Sequence, residues 1–299
     1  MKNIVVTGSN GLLGQTLVSL LLNDKEKYTV TGFSRGENRS GRADFSYISI
    51  DVTDKDIFIK KLTECKPDVI VNTAAMTNVD ACEDNKEACD QLNIDVVESL
   101  KEYSEINNTH LIHISTDFIF DGKNGPYKEN DTPNPLNYYG VSKLKSENIL
   151  TASKINYTIL RTILVYGKVF DMTRSNIVLW VKKSLEDKKE ITIVKDQFRM
   201  PTHVADLAQA CVLAIDKKAI GVFNISSNTL LSIYEIAQQI ADVFKLDKSL
   251  IKPIVTTDLN QKAIRPAKTG FNLSKTKSEL NFYPKSFLED LQKIKEKLT

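Results

Sequence analysis

The sequence predicts an α/β fold, a doubly wound parallel sheet with a smaller C-terminal lobe packed against it. Three observations point there. Short β-branched runs alternate with longer helix-like patterns through the first half of the 299 residues. A glycine-rich turn follows the first of those runs immediately. In the second half the alternation loosens and Pro253, Pro266 and Pro284 punctuate it, with no Gly/Ser-rich linker between the halves. Repeated strand–helix–strand order implies right-handed crossovers, hence a parallel sheet covered by helices on both faces.

Taken in order, Ile4–Thr7 reads as the first strand and Leu12–Asn23 as the helix after it. Thr29–Phe33 and Tyr47–Ile50 are the next strands, runs that suit a pleated, buried surface. Asp54–Cys65 reads as a helix, and Pro67 bounds the strand Asp68–Asn72. A long helical pattern covers Asn85–Ile106. Leu111–Ser115 is a strand, Leu136–Lys154 a helix, and Thr158–Arg161 closes the series. Beyond it come an irregular stretch at Tyr166–Thr173, a helix near Asn176–Leu185 and a strand at Ile191–Val194. A loop at Lys195–Thr202, a helix at Val204–Asp216 and a strand at Val222–Ile225 follow, then helices at Ile233–Phe244 and Phe287–Lys297.

Composition narrows the function. Hydrophobic residues at 41% and charged residues at 26% suit a soluble chain that buries a core. Lys+Arg is 40 against Asp+Glu 38, so no global basic excess argues for a nucleic acid polymer or an anionic membrane. Cys65, Cys82, Cys89 and Cys211 form no CxxC pair, and only three histidines are present. Inert thiols in a reducing compartment and no metal site are expected. Met1-Lys2-Asn3 leads straight into a strand, and no apolar run is long enough for a membrane span or a leader. A cytoplasmic location is the expectation.

The turn Thr7-Gly8-Ser9-Asn10-Gly11-Leu12-Leu13-Gly14 links the first strand to the first helix. Its spacing is that of a Rossmann-type dinucleotide turn. Glycines permit the tight turn, the approach to a diphosphate and close helix packing, while helix amides face the anion. Gly8, Asn10, Gly11, Leu12, Leu13 and Gly14 are therefore cofactor-binding candidates. At the end of the second strand, where an acidic residue would accept a ribose 2′-OH, the chain reads Ser34-Arg35, with Arg39 and Arg42 nearby. That pattern favours a 2′-phosphate, and so NADP(H) over NAD(H). Asp51-Val52 ends the third strand, where a carboxylate can take the adenine amino group. Small residues at Ala74 and Ala75 end the fourth and leave room for ribose and phosphate.

Ser115-Thr116-Asp117 closes the fifth strand, and Tyr139-Gly140-Val141-Ser142-Lys143 follows in a helix. Tyr139 and Lys143 at i,i+4 share a face, and an ammonium there favours the phenolate and eases proton transfer. Thr116 supplies a hydroxyl to orient the reacting oxygen. Tyr138, at i,i+5 to Lys143, points away. Lys195–His203 reads as a polar, substrate-facing loop, with Gln197 or Arg199 near the ligand and Thr202 or His203 capping the next helix.

With these residues in place, the chain resembles the extended short-chain dehydrogenase/reductases, and within them the dTDP-4-dehydrorhamnose reductase family. Matching stretches include 72–80, 115–122, 126–129, 134–143, Leu160-Arg161-Thr162, Val165-Tyr166-Gly167, Asp196-Gln197, Pro201-Thr202 and Arg265-Pro266. The resemblance implies an oxidoreductase with residues 1–165 as an NAD(P)-binding domain carrying the triad Thr116, Tyr139 and Lys143. Residues 166–299 would be mainly a substrate-binding lobe, with strand and helix excursions back to the first domain. It implies reduction of the C4 ketone of a nucleotide-linked 4-keto-6-deoxy sugar by NADPH or NADH. Thr77, Val79, Thr116, Asp117, Phe118, Gln197 and Arg265 would line the substrate pocket. Mg²⁺ and a homodimer enter only by analogy. Asp117-Phe118 lacks the Asp-Glu of the sugar dehydratases. Ile163-Leu164 stands where these reductases often carry Ser-Trp, and Trp180 reads as core. Two alternatives stay open: a catalytically idle cofactor-binding subunit like that of methionine adenosyltransferase, which Met200-Pro201-Thr202-His203-Val204 resembles, and a nucleotide-sugar epimerase.

Overall fold

The computed structural model describes residues 1–172 and 175–298. Its centre is a seven-stranded parallel sheet of β1 (Lys2–Thr7), β2 (Tyr28–Ser34), β3 (Ser46–Ser49), β4 (Val69–Asn72), β5 (His110–Thr116), β6 (Tyr157–Thr162) and β7 (Gly221–Ile225). The spatial order is β7-β6-β5-β4-β1-β2-β3, so the chain reverses direction across the sheet between β1 and β4. Ligands of such sheets sit at the carboxyl ends of the strands beside that reversal.

The core explains the two layers of helix. Ile4 and Val6 pack on one face with α1 (Leu12–Leu21) and α8 (Val204–Lys217). Val5 turns to the other face, with α2 (Lys55–Cys65), α5 (Val96–Asn107) and α6 (Tyr138–Thr151). Alternation along one strand thus buries both faces of the sheet. A third cluster holds α7 (Ile177–Glu186), α9 (Ile233–Phe244) and α10 (Phe287–Leu298) around Tyr166, Val181, Ile240 and Leu291. Among the described residues no helix is long and apolar enough to cross a membrane.

Three local expectations are corrected. The single helix over Asn85–Ile106 is instead α3 (Val79–Asp84), α4 (Lys86–Asp90), a π-helical turn at Gln91–Asp95 and α5. Asn85 leaves helical geometry at φ −137° and ψ 80° and caps α4 by accepting from the Ala88 amide. The loop at Lys195–Thr202 contains a strand, Phe198–Arg199, that pairs with Leu231–Ser232 and Lys268–Thr269. Trp180 is not core but 40% exposed on α7. Thr173, which ends the expected irregular stretch, lies outside the described residues.

Candidate active site

A cavity of about 660 Å³ opens at the carboxyl end of the sheet. Asn10–Gly14 form one wall, Thr116, Tyr139 and Lys143 the middle, and Thr77, Val79, Asp117, Phe118, Gln197, Arg199 and Arg265 another part. Ala75 also lines it, whereas Gly8, Ser34, Arg35, Asp51, Val52 and Ala74 do not reach the lining.

The glycine wall is made of backbone. Gly8 sits at φ +66°, and a Cβ on Gly14 would lie 2.2 Å from the Gly8 carbonyl oxygen, so only glycine lets α1 start so close to β1. Helices α2, α6, α7 and α9 each open on a side-chain acceptor, from Asp54, Asn137, Asn176 and Ser232. Helix α1 opens at Gly11 with no side-chain cap. Its first amides line the cavity and carry the positive end of the helix dipole, an arrangement that suits a diphosphate. Asn10 staples this turn to the next loop, donating to the carbonyls of Arg35 (3.1 Å) and Glu37 (2.8 Å).

In that loop the three arginines differ. Arg39 makes a two-pronged ion pair with Asp171 at 2.7 Å, and Arg42 likewise engages Asp44. Arg35 has a side chain 75% exposed and only a loose approach of 3.7 Å to Asp51. The Thr53 amide and hydroxyl, with Arg35, hold the Asp51 carboxyl below its ordinary range.

The centre rests on α6, whose inward face is polar: Ser142, Lys143, Ser146 and Glu147 are all buried. Gly140 makes this possible, because a Cβ there would meet the Phe118 carbonyl oxygen at 2.2 Å. Tyr139 and Thr116 line the cavity together, and Phe118 packs edge-on against the Tyr139 ring at 6.0 Å. Burial pushes the Tyr139 phenol well above its ordinary value, with Thr116 opposing and Asp117 and the thiols of Cys82 and Cys89 adding to the rise. Among these influences desolvation is the largest, and it holds the phenol above its ordinary value. Burial also brings Lys143 down to about 8, against the pull of Glu147 and Cys89. Tyr138 turns away, donating to Asp90 at 2.8 Å.

The charged wall is made of side chains from distant segments. Asp117 and Arg199, both buried, face each other at 3.7 Å, and Thr269 donates to the same carboxylate. Burial raises the Asp117 carboxyl, while Arg199 and Thr269 oppose the rise. Arg265 grips Asp80 at 2.8 and 3.3 Å. Gln197 donates to Thr256 at 3.1 Å. Thr269 and Asp80, which meet their partners only through the fold, and the lining residue Gln261 were not legible in the sequence. Ile163 is fully buried away from the cavity, but Leu164 lines it, from a backbone at φ +41°.

Outside the cavity, His203, Asp206 and Asp290 place ligand-capable atoms within 4.8 Å of one another, a grouping the sequence did not suggest. His203 starts α8 without a side-chain cap bond, so the expected His203 cap is not formed. One imidazole and two carboxylates, with Asp290 already accepting from Tyr166, do not fit the oxygen-rich octahedron that Mg²⁺ requires.

Residues 1–299 match the family described as RmlD substrate binding domain. The chain is 30% identical to a dTDP-4-dehydrorhamnose reductase of Aggregatibacter actinomycetemcomitans, over 99% of each sequence. It is 31% identical to methionine adenosyltransferase 2 subunit beta of Bos taurus, over 85% of this chain and 75% of the relative. Its fold superimposes on the dTDP-4-dehydrorhamnose reductase of Bacillus anthracis, solved in complex with NADP, with a TM-score of 0.86 at 26% identity and 99% of each chain covered.

Proposed function

The chain belongs to the RmlD substrate binding domain family, and on that premise we propose that it reduces the C4 ketone of a nucleotide-linked 4-keto-6-deoxy sugar, with dTDP-4-dehydrorhamnose as the substrate and dTDP-L-rhamnose as the product. It has the family, fold and triad of an oxidoreductase that binds a nicotinamide cofactor. One observation carries the reading: Thr116, Tyr139 and Lys143 meet in one cavity, between an uncapped helix end and a charged wall.

In this reading the amides of Leu12, Leu13 and Gly14 hold the diphosphate, with Gly8, Gly11 and Asn10 shaping the turn. Ala74 and Ala75 leave space for ribose, and Asp51 and Val52 flank the adenine. Ser34 and Arg35 take a 2′-phosphate, because Arg35 is exposed and loosely paired while Arg39 and Arg42 are engaged. That favours NADPH over NADH. When bound, the nicotinamide supplies the hydride. Thr116 orients the ketone oxygen, and Tyr139, kept protonated by burial, donates its proton to that oxygen as charge develops there. Lys143 holds the ribose beside them. Thr77, Val79, Asp117, Phe118, Gln197 and Arg265 surround the sugar nucleotide.

The test follows NADPH and NADH oxidation at the nicotinamide absorbance, with dTDP-4-keto-6-deoxy-L-mannose generated in situ. Substrate-dependent oxidation, faster with NADPH, is the expected result. Bound cofactor with interconversion of sugars and no net oxidation identifies an epimerase instead. A second reading, an idle subunit, draws on the likeness to methionine adenosyltransferase 2 subunit beta. It predicts cofactor binding, no turnover, and capture of a synthetase catalytic subunit.

A further inference from the structure

Lys143 is buried, yet among the described residues no carboxylate pairs with it. The nearest, Glu147, is occupied by Arg161 through bonds of 3.0, 3.2 and 2.7 Å. Its bonded partner is His113 on β5, with Nζ 2.9 Å from Nε2. His113 belongs to a row that crosses the sheet in register. Thr7 on β1 pairs with Asn72 on β4, and Asn72 with His113 on β5. Their side chains follow the same path, from Thr7 Oγ1 to Asn72 Oδ1 (2.6 Å) and from Asn72 Nδ2 to His113 Nδ1 (3.1 Å).

We propose that His113 is a positioning residue for Lys143, a neutral acceptor that seats the ammonium one helical turn from Tyr139 without cancelling its charge. A carboxylate in that place would hold the amine as well but neutralise it. An apolar ring would leave a buried ammonium without a partner. The groups facing the pair are the Ser146 hydroxyl, 3.1 Å from the same Nε2, Glu147, tied to Arg161, and the thiol of Cys89; burial and the Lys143 charge keep the His113 ring neutral. The row has two consistent proton arrangements. With Lys143 charged, Nε2 accepts, Nδ1 carries the proton, and Asn72 turns its oxygen to the ring. With Lys143 neutral, Nε2–H donates to it or to the Ser146 hydroxyl, and Asn72 presents its amide nitrogen, the orientation it has in this structure. The ring tautomer therefore follows the charge of Lys143.

The proposal deepens the reductase reading and rests on it, so two measurements separate them. The first needs no substrate: ¹⁵N NMR of the histidine rings in the full chain, assigned with His113→Gln. The expected result is the Nδ1–H tautomer below the titration of Lys143 near about 8 and the Nε2–H tautomer above it. A fixed tautomer, or an ordinary imidazolium titration near 6.5, overturns the proposal. The second is the pH profile of kcat/KM. His113→Phe is expected to move the alkaline limb down by about one pH unit or more, the scale of a lost hydrogen bond to a charge. His113→Gln restores the limb. His113→Glu moves it up while lowering kcat at the optimum, so the last two variants differ in charge alone. An unmoved limb in a folded His113→Phe variant also overturns it. Absence of wild-type turnover refutes the reductase reading, and the NMR result still decides the contact.

Discussion

The two sides of the cavity are built on opposite principles. The glycine wall offers backbone amides, uncapped and preformed, in one run of a few residues. The charged wall offers side chains from separate segments, already satisfied by one another: Asp117 by Arg199 and Thr269, Arg265 by Asp80. A ligand meets open donors on the first wall. On the second it must compete with existing pairs or use their outer edges. The first wall suits a partner shared by many proteins, and the second a partner that has to be told apart from close analogues.

Tyr139 stands between the walls, and its replacement gives the largest effect. Tyr139→Phe is expected to lower kcat at least ~100-fold, the scale of general acid catalysis, while cofactor affinity measured by nicotinamide fluorescence holds. Loss of cofactor affinity as well would assign Tyr139 to the glycine wall. Next comes Arg199→Met, which leaves Asp117 buried without its cation. Urea unfolding should show a loss of about 3 kcal/mol, as when one partner of a buried pair is removed. A near-neutral result would mean that Asp117 is protonated in the folded chain and that the wall is polar rather than ionic.

A reference point outside both walls comes third. Burial depresses the ring of His110 to about 4, and its Nε2 lies 2.8 Å from Thr158. The unfolded chain protonates this ring below its ordinary 6.5, so between 6.5 and about 4 the unfolded state binds more protons. Stability is then complete above 6.5 and is lost as pH falls, by roughly 2.5 kcal/mol at pH 4.5 from this ring alone. His110→Gln should flatten that part of the stability profile; an unchanged slope would show that other groups carry it. The smallest effect belongs to Arg35→Ala, expected to weaken NADPH about tenfold, the scale of one exposed phosphate contact, and to leave NADH unchanged. Equal losses would remove Arg35 from the choice of cofactor.

What could be read from the sequence follows the same division. The glycine turn and the Tyr139/Lys143 pair are local patterns whose meaning is fixed by the geometry of one turn or one helix. The sheet was legible because both faces of its strands are apolar. The break at Asn85 and the π-helical turn were not, since each keeps a helix-like spacing of apolar residues. The strand pairs around Phe198–Arg199 are two residues long, too short to show a period. Arg199 and Thr269 reach Asp117 from 82 and 152 positions away, and no local signal encodes such a meeting.

Leu164 holds its place in the cavity wall with a backbone at φ +41°. For an L side chain that conformation costs about 1–2 kcal/mol, which glycine largely avoids. Leu164 also packs against two hydrophobic clusters, so an exchange to glycine that relaxes the backbone gives up apolar contacts of comparable or larger worth. One side chain thus serves the packing of the C-terminal helices and the shape of the pocket at once, and any exchange at this codon is read in both the melting curve and the turnover.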